Sequence, residues 1–112
     1  MISLDCTLRD GGYYNNWDFE PRLVQDYLNA MDSLQIDFVE IGFRTLKNDS
    51  FKGGFAYSTD TFLNNLNIPS GLNDKIGVMI NGSEIVNVKT QTSTLERLFN
   101  PKSKSPVSLV RI

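Results

Sequence analysis

Arg9 and Asp10 stand side by side ahead of the Gly11-Gly12 pair, and a later apolar segment places Glu40 between Val39 and Ile41. In sheets whose strands alternate with helices, ligands sit at the carboxyl ends of the strands, where Arg9 and Asp10 would arrive together. Glu40 makes a sharper demand, because a carboxylate in mid-strand is costly to bury unless it meets a cation or a hydrogen-bond donor. On a parallel strand next to the first, it would face the Arg9 side. The ordinary alternative is an exposed edge strand ending in a glycine turn, with Arg9 and Asp10 as solvated surface charges. The first stretch alone leaves both readings open.

The elements that must position these residues can be read in order. Leu4-Asp5-Cys6-Thr7-Leu8-Arg9 alternates as a strand, with Leu4, Cys6 and Leu8 on one face. Tyr13 to Phe19 is an aromatic, amide-rich loop that either closes over a ligand or covers the core. A helix starts near Glu20-Pro21, with Asp18 as a candidate cap, and carries an apolar stripe of Leu23, Val24, Tyr27, Leu28, Met31 and Leu34. Asp37 to Arg44 is a second strand, with Val39, Ile41 and Phe43 on one face and Glu40 and Gly42 on the other. The polar loop from Thr45 to Tyr57 exceeds a simple connector in length, which favours a functional role. Ser58 caps a short helix with Phe62, Leu63 and Leu66 inward and Asn64, Asn65 and Asn67 outward, stopped by Pro69-Ser70-Gly71. Lys75 to Ile80 is a third strand, and Asn81-Gly82-Ser83 after it either caps a helical turn or offers backbone N–H groups to an anion. A helix from Thr92 or Ser93 runs through Leu95, Leu98 and Phe99 to Asn100-Pro101, and Val107 to Ile112 is a fourth strand. This β-α-β-α-β-α-β order predicts an α/β fold with a parallel sheet and right-handed crossovers.

The chain has 112 residues, room for one domain but short of the roughly 200 to 250 of a complete catalytic α/β barrel. A net charge of −2 with scattered Lys and Arg argues against nucleic acid. No apolar run reaches the ~18 residues of a membrane span, and Asp5 and Arg9 interrupt any signal-peptide core. Cys6 is the single cysteine, which fits a reducing compartment and makes a cytoplasmic location the expectation. Histidine is absent, which removes the commonest general base and metal ligand from the 112 residues.

Asp5-Cys6-Thr7-Leu8-Arg9-Asp10-Gly11, together with Val39-Glu40-Ile41-Gly42, resembles the metal-dependent lyase and aldolase superfamily that includes 4-hydroxy-2-oxovalerate aldolase, 3-hydroxy-3-methylglutaryl-CoA lyase and isopropylmalate synthase. The continuation Gly11-Gly12-Tyr13-Tyr14-Asn15-Asn16-Trp17 looks most like the aldolase-like branch. The resemblance implies a TIM (β/α)8 barrel, of which residues 1–112 are the N-terminal half, ending in strand 4. It implies carbon–carbon bond cleavage or formation through the enolate of a pyruvate-type 2-oxo acid, with Mn²⁺ or Mg²⁺ as cofactor. Asp10 would be a metal ligand, Arg9 would donate to the enolate oxygen, and Glu40 would hold the pair in place. Tyr14, Arg44 and Arg111 are candidate substrate-binding residues, the two arginines lying near strand ends where surface positions are an equal alternative. The superfamily's other metal ligands are two histidines of a His-x-His motif on a later strand, and its aldolases carry a further histidine in the loop where Tyr13 and Tyr14 stand here. The partners implied are a small 2-oxo acid or aldehyde and further copies of the chain, and the isolated half is expected to be inactive. Two other readings fit the same residues: a non-catalytic half-barrel that dimerises and binds a small oxo acid, and a vestigial structural domain.

Overall fold

The strand Phe38–Phe43 (β2) has neighbours on both sides, which is why its residues are apolar and buried almost throughout. It belongs to a parallel sheet in the order β1-β2-β3-β4, with β1 at Leu4–Asp5, β3 at Ile76–Met79 and β4 at Leu109–Arg111. Helices α1 (Thr7–Gly11) and α2 (Pro21–Ser33) connect the first two strands, α3 (Gly54–Tyr57) and α4 (Asp60–Asn64) the next two, and α5 (Gln91–Leu98) the last two. The computed structural model describes residues 1–46, 50–86 and 91–112, so part of the Thr45–Tyr57 loop lies outside the described residues. Four parallel strands in sequential order with helices between them form an α/β half-barrel. Among the described residues no helix is long and apolar enough to cross a membrane.

The core lies between the sheet and its helices, with Leu28, Val39, Ile41, Leu63, Leu72 and Val78 completely buried. The apolar stripe of α2 is narrower than its spacing predicts: Val24 and Leu28 are buried and Tyr27 and Met31 pack against the cluster, while Leu23 and Leu34 at its ends are exposed. Pro21 opens that helix after Glu20, and Asp18 makes no capping bond to it. In the next connection Thr59, not Ser58, caps α4, its side chain accepting from Phe62 N. Ser58 instead ends α3 in the left-handed region at φ 40°, with its hydroxyl bonded to the Phe55 carbonyl.

Two local features alter the expected faces. The first strand stops at Asp5 because the Asp5 carboxylate accepts from Thr7 N at 3.0 Å, bending the chain into α1. Arg9 and Asp10 are therefore on a short helix beyond the strand. In β2 the pairing with β3 shifts between Glu40 and Gly42: Glu40 lies opposite Gly77, yet Gly42 lies opposite Val78. One extra residue in a strand reverses the alternation beyond it. Phe43 consequently joins Glu40 on the Arg9 side, with its ring 5.8 Å from the Arg9 guanidinium, and Gly42 turns toward α3.

Candidate functional site

Glu40 is completely buried and is the point where two arginines meet. Arg9 Nε donates to its Oε1 at 2.7 Å, and Arg111 adds a fork, with Nε donating to Oε2 at 2.6 Å and Nη2 to Oε1 at 2.8 Å. Burial alone would raise the Glu40 pKa, but the bonds from Arg111 and Arg9 outweigh it and hold the carboxyl below its ordinary value. Burial pulls the Arg9 pKa down, and the bond and charge of Glu40 more than reverse this, so the guanidinium stays charged. The pairing crosses the sheet, since Arg9 follows β1, Glu40 lies in β2 and Arg111 ends β4. Gly77, opposite both Glu40 and Leu109, puts no side chain on the row between them.

The Arg9 side chain is only 14% exposed, and its Nη1 lies 3.4 Å from Asp10 Oδ1. Asp10 itself is 71% exposed, so its carboxylate meets both Arg9 Nη1 and solvent. Behind Arg9, three rings pack edge to face: Trp17 lies 4.8 Å from Tyr13 and 5.5 Å from Phe43. Below it, Asp5 accepts the hydroxyl of Tyr27, tying the end of β1 to α2. Burial and this bond raise the Tyr27 pKa, and for Asp5 the bonds from Tyr27 and Thr7 overcome burial and lower it.

A crystal structure described as the "N-terminal domain of a putative aldolase" from Bacteroides vulgatus shares this arrangement of elements, with a TM-score of 0.71 and 38% identity over 86% of this chain. The likeness is to an aldolase domain. The present chain spans 31% of the length of that one. No protein-family model and no curated protein matches the chain.

In this aldolase-like half-barrel the structure brings Arg9, Asp10, Glu40 and Arg111 together and places the other candidates elsewhere. Tyr14 is 95% exposed at the end of a 3-10 turn, Gly12–Tyr14. Arg44 is buried on the far side of β2, where Nε and Nη2 donate to the Ser58 carbonyl, Nη1 to the Leu98 carbonyl and Nη2 to Asp60 Oδ1. Its guanidinium also lies 5.1 Å from the Phe99 ring, so it ties α3 and α4 to α5. Asp60, its partner, escaped the sequence reading, although its bonds to Asn100, Arg44 and Ser105 hold its carboxyl below the ordinary range against the effect of burial. Arg111 was legible as a charge at a strand end, but its fork onto Glu40 requires knowing that β4 lies two strands away with Gly77 between. Asp10 offers a hard oxygen of the kind Mg²⁺ or Mn²⁺ prefers. Among the described residues no three His, Cys, Asp or Glu side chains come together, so the donor set suits such an ion in kind and falls short in number.

Proposed function

We propose that these residues form the enolate-holding part of a divalent-metal-dependent aldolase or lyase, of the superfamily of 4-hydroxy-2-oxovalerate aldolase and 3-hydroxy-3-methylglutaryl-CoA lyase. The observation that carries the reading is Glu40, a buried carboxylate whose oxygens are both taken by Arg9 and Arg111, which fixes a charged Arg9 beside an exposed Asp10. In aldol cleavage of a 4-hydroxy-2-oxo acid, the hydroxyl loses its proton, the C3–C4 bond breaks to release an aldehyde, and the electron pair passes into the enolate of the 2-oxo acid. Protonation at C3 then gives the 2-oxo acid product. Negative charge grows on the enolate oxygen, and a guanidinium already anchored by Glu40 can donate there without reorganising. Glu40 serves by position, since its own oxygens are occupied. A bound Mn²⁺ or Mg²⁺ would polarise the keto and carboxylate oxygens of the substrate, with Asp10 as one ligand and the others supplied from outside the described residues. The single cysteine accords with a cytoplasmic location.

Pyruvate release from a 4-hydroxy-2-oxo acid, assayed with Mn²⁺ in a full-length protein carrying this segment, tests the reading. Arg9→Ala is expected to lower kcat by about 100-fold or more, the loss typical of an oxyanion donor. Unchanged turnover in that variant would overturn the assignment.

A further inference from the structure

Arg9 is anchored at its side chain by Glu40, but its backbone needs a second anchor. Helix α1 has five residues, and the last carbonyls of any helix lack intrahelical donors. Trp17 supplies such a donor, its indole Nε1 bonding the Arg9 carbonyl at 2.8 Å. The ring is held from several directions at once. It lies so close over Gly12 that a Cβ there would come within 1.9 Å of its Cδ1, and Lys52 Nζ sits 5.3 Å from its centre. Its edge-to-face contact with Phe43 continues to the guanidinium that Phe43 supports.

The backbone here is costly to hold. Asn16 and Trp17 both occupy the left-handed region, at φ 56° and 58°, which residues other than glycine rarely adopt in succession. Trp17 N bonds both the Gly12 carbonyl and Asn15 Oδ1, and Gly53 N donates to the Asn16 carbonyl at 2.7 Å. Gly53 is needed for this approach, because a Cβ would lie 2.3 Å from the Trp17 carbonyl oxygen. A strained turn braced on both sides is a device for placing one side chain, and the atom that side chain reaches belongs to Arg9.

We infer that Trp17 is a positioning residue for Arg9, fixing α1 so that the Arg9 guanidinium stays seated on Glu40. The consequence for ligand binding rests on the aldolase reading, whereas the anchoring itself does not.

The test is the hydrogen-exchange rate of the arginine Nε–H groups, followed by ¹H–¹⁵N spectra of the 112-residue chain. Trp17→Phe keeps a ring over Gly12 and loses the donor. Arg9 Nε–H should then exchange about ten-fold faster, as expected for losing one hydrogen bond, while Arg44 Nε–H, bonded to Ser58 far from the turn, keeps its rate. Equal acceleration of both arginines would reduce Trp17 to core packing and overturn the inference, as would no change in either. Benzothienylalanine at position 17 retains the ring's shape with sulfur in place of N–H, and it decides the matter if Trp17→Phe does not fold. Retained Arg9 protection in that protein would overturn the inference. Oxalate, an enolate mimic, probes the other layer: its failure to bind a full-length protein carrying this segment, with Mn²⁺ present, counts against the proposed function and leaves the exchange result standing.

Discussion

Replacing Glu40 by Gln would leave two guanidinium groups facing a neutral amide in a buried position. Breaking a buried ion pair from one side typically costs about 3 kcal/mol or more, because the remaining charge is left uncompensated. Part of Arg111 reaches solvent, which softens the loss on its side. Chemical denaturation of Glu40→Gln should therefore show a fall of about 3 kcal/mol at neutral pH. The pH dependence follows from the direction of the Glu40 shift. Its folded pKa lies below its ordinary 4.5, so the unfolded chain binds the proton first as pH drops. The stability this gives is complete above that value and is lost as pH falls through the folded pKa. Glu40→Gln should accordingly flatten the acid limb of the stability profile, leaving the contributions of Asp5, Asp37 and Asp60, which are depressed in the same direction. The need of Glu40 for a cation was legible from its apolar neighbours, and Arg9 was legible as the nearest source. The Arg111 fork and the Trp17 anchor were not, because both depend on contacts between segments distant in sequence.

Among the elements, β2 decides most. Its parallel partners, the α/β alternation and the helix over Pro21–Ser33 follow from hydrophobic period and turn residues, and all are present in the structure. The shift between Glu40 and Gly42 left no mark in the alternation of Val39, Ile41 and Phe43, since every one of them is apolar and buried whichever way the strand turns. The first strand misled for a related reason: Leu4 to Arg9 alternates, but the Asp5 side chain captures Thr7 N and converts the second half into a helix. Gly42 offers a direct check on the bulge. A Cβ there would lie 2.1 Å from the Phe55 carbonyl oxygen and 2.6 Å from Ser58 Oγ, and the first of these is backbone that cannot step aside. Gly42→Ala should cost about 3 kcal/mol or more in thermal or chemical unfolding, at the upper end of overpacking effects. A regular β2 would carry position 42 on the Glu40 face instead, and the same substitution would then disturb the Arg9–Glu40 bond rather than the contact with α3.

At the scale of the whole molecule, the sheet ends, among the described residues, in two unpaired edges, β1 and β4, and β4 leaves Val110 42% exposed and Ile112 70% exposed beside it. Edges of this kind are templates for pairing with another strand. The charged cluster stands at this open side, because Arg111 belongs to the edge strand itself. On the function we propose, the guanidinium fixed by Glu40 and the exposed carboxylate of Asp10 beside it would take one end of a 2-oxo acid and one ligand position of its metal. Calorimetric titration of oxalate in the presence of Mn²⁺ is the direct test, comparing a full-length protein carrying this segment with its Asp10→Ala and Arg9→Ala variants. Saturable binding by the unaltered full-length protein is expected, with a loss of about ten-fold or more in each variant, in keeping with a charge-assisted contact removed. Equal affinity in the three proteins, or none in the unaltered full-length protein, would contradict the proposed site.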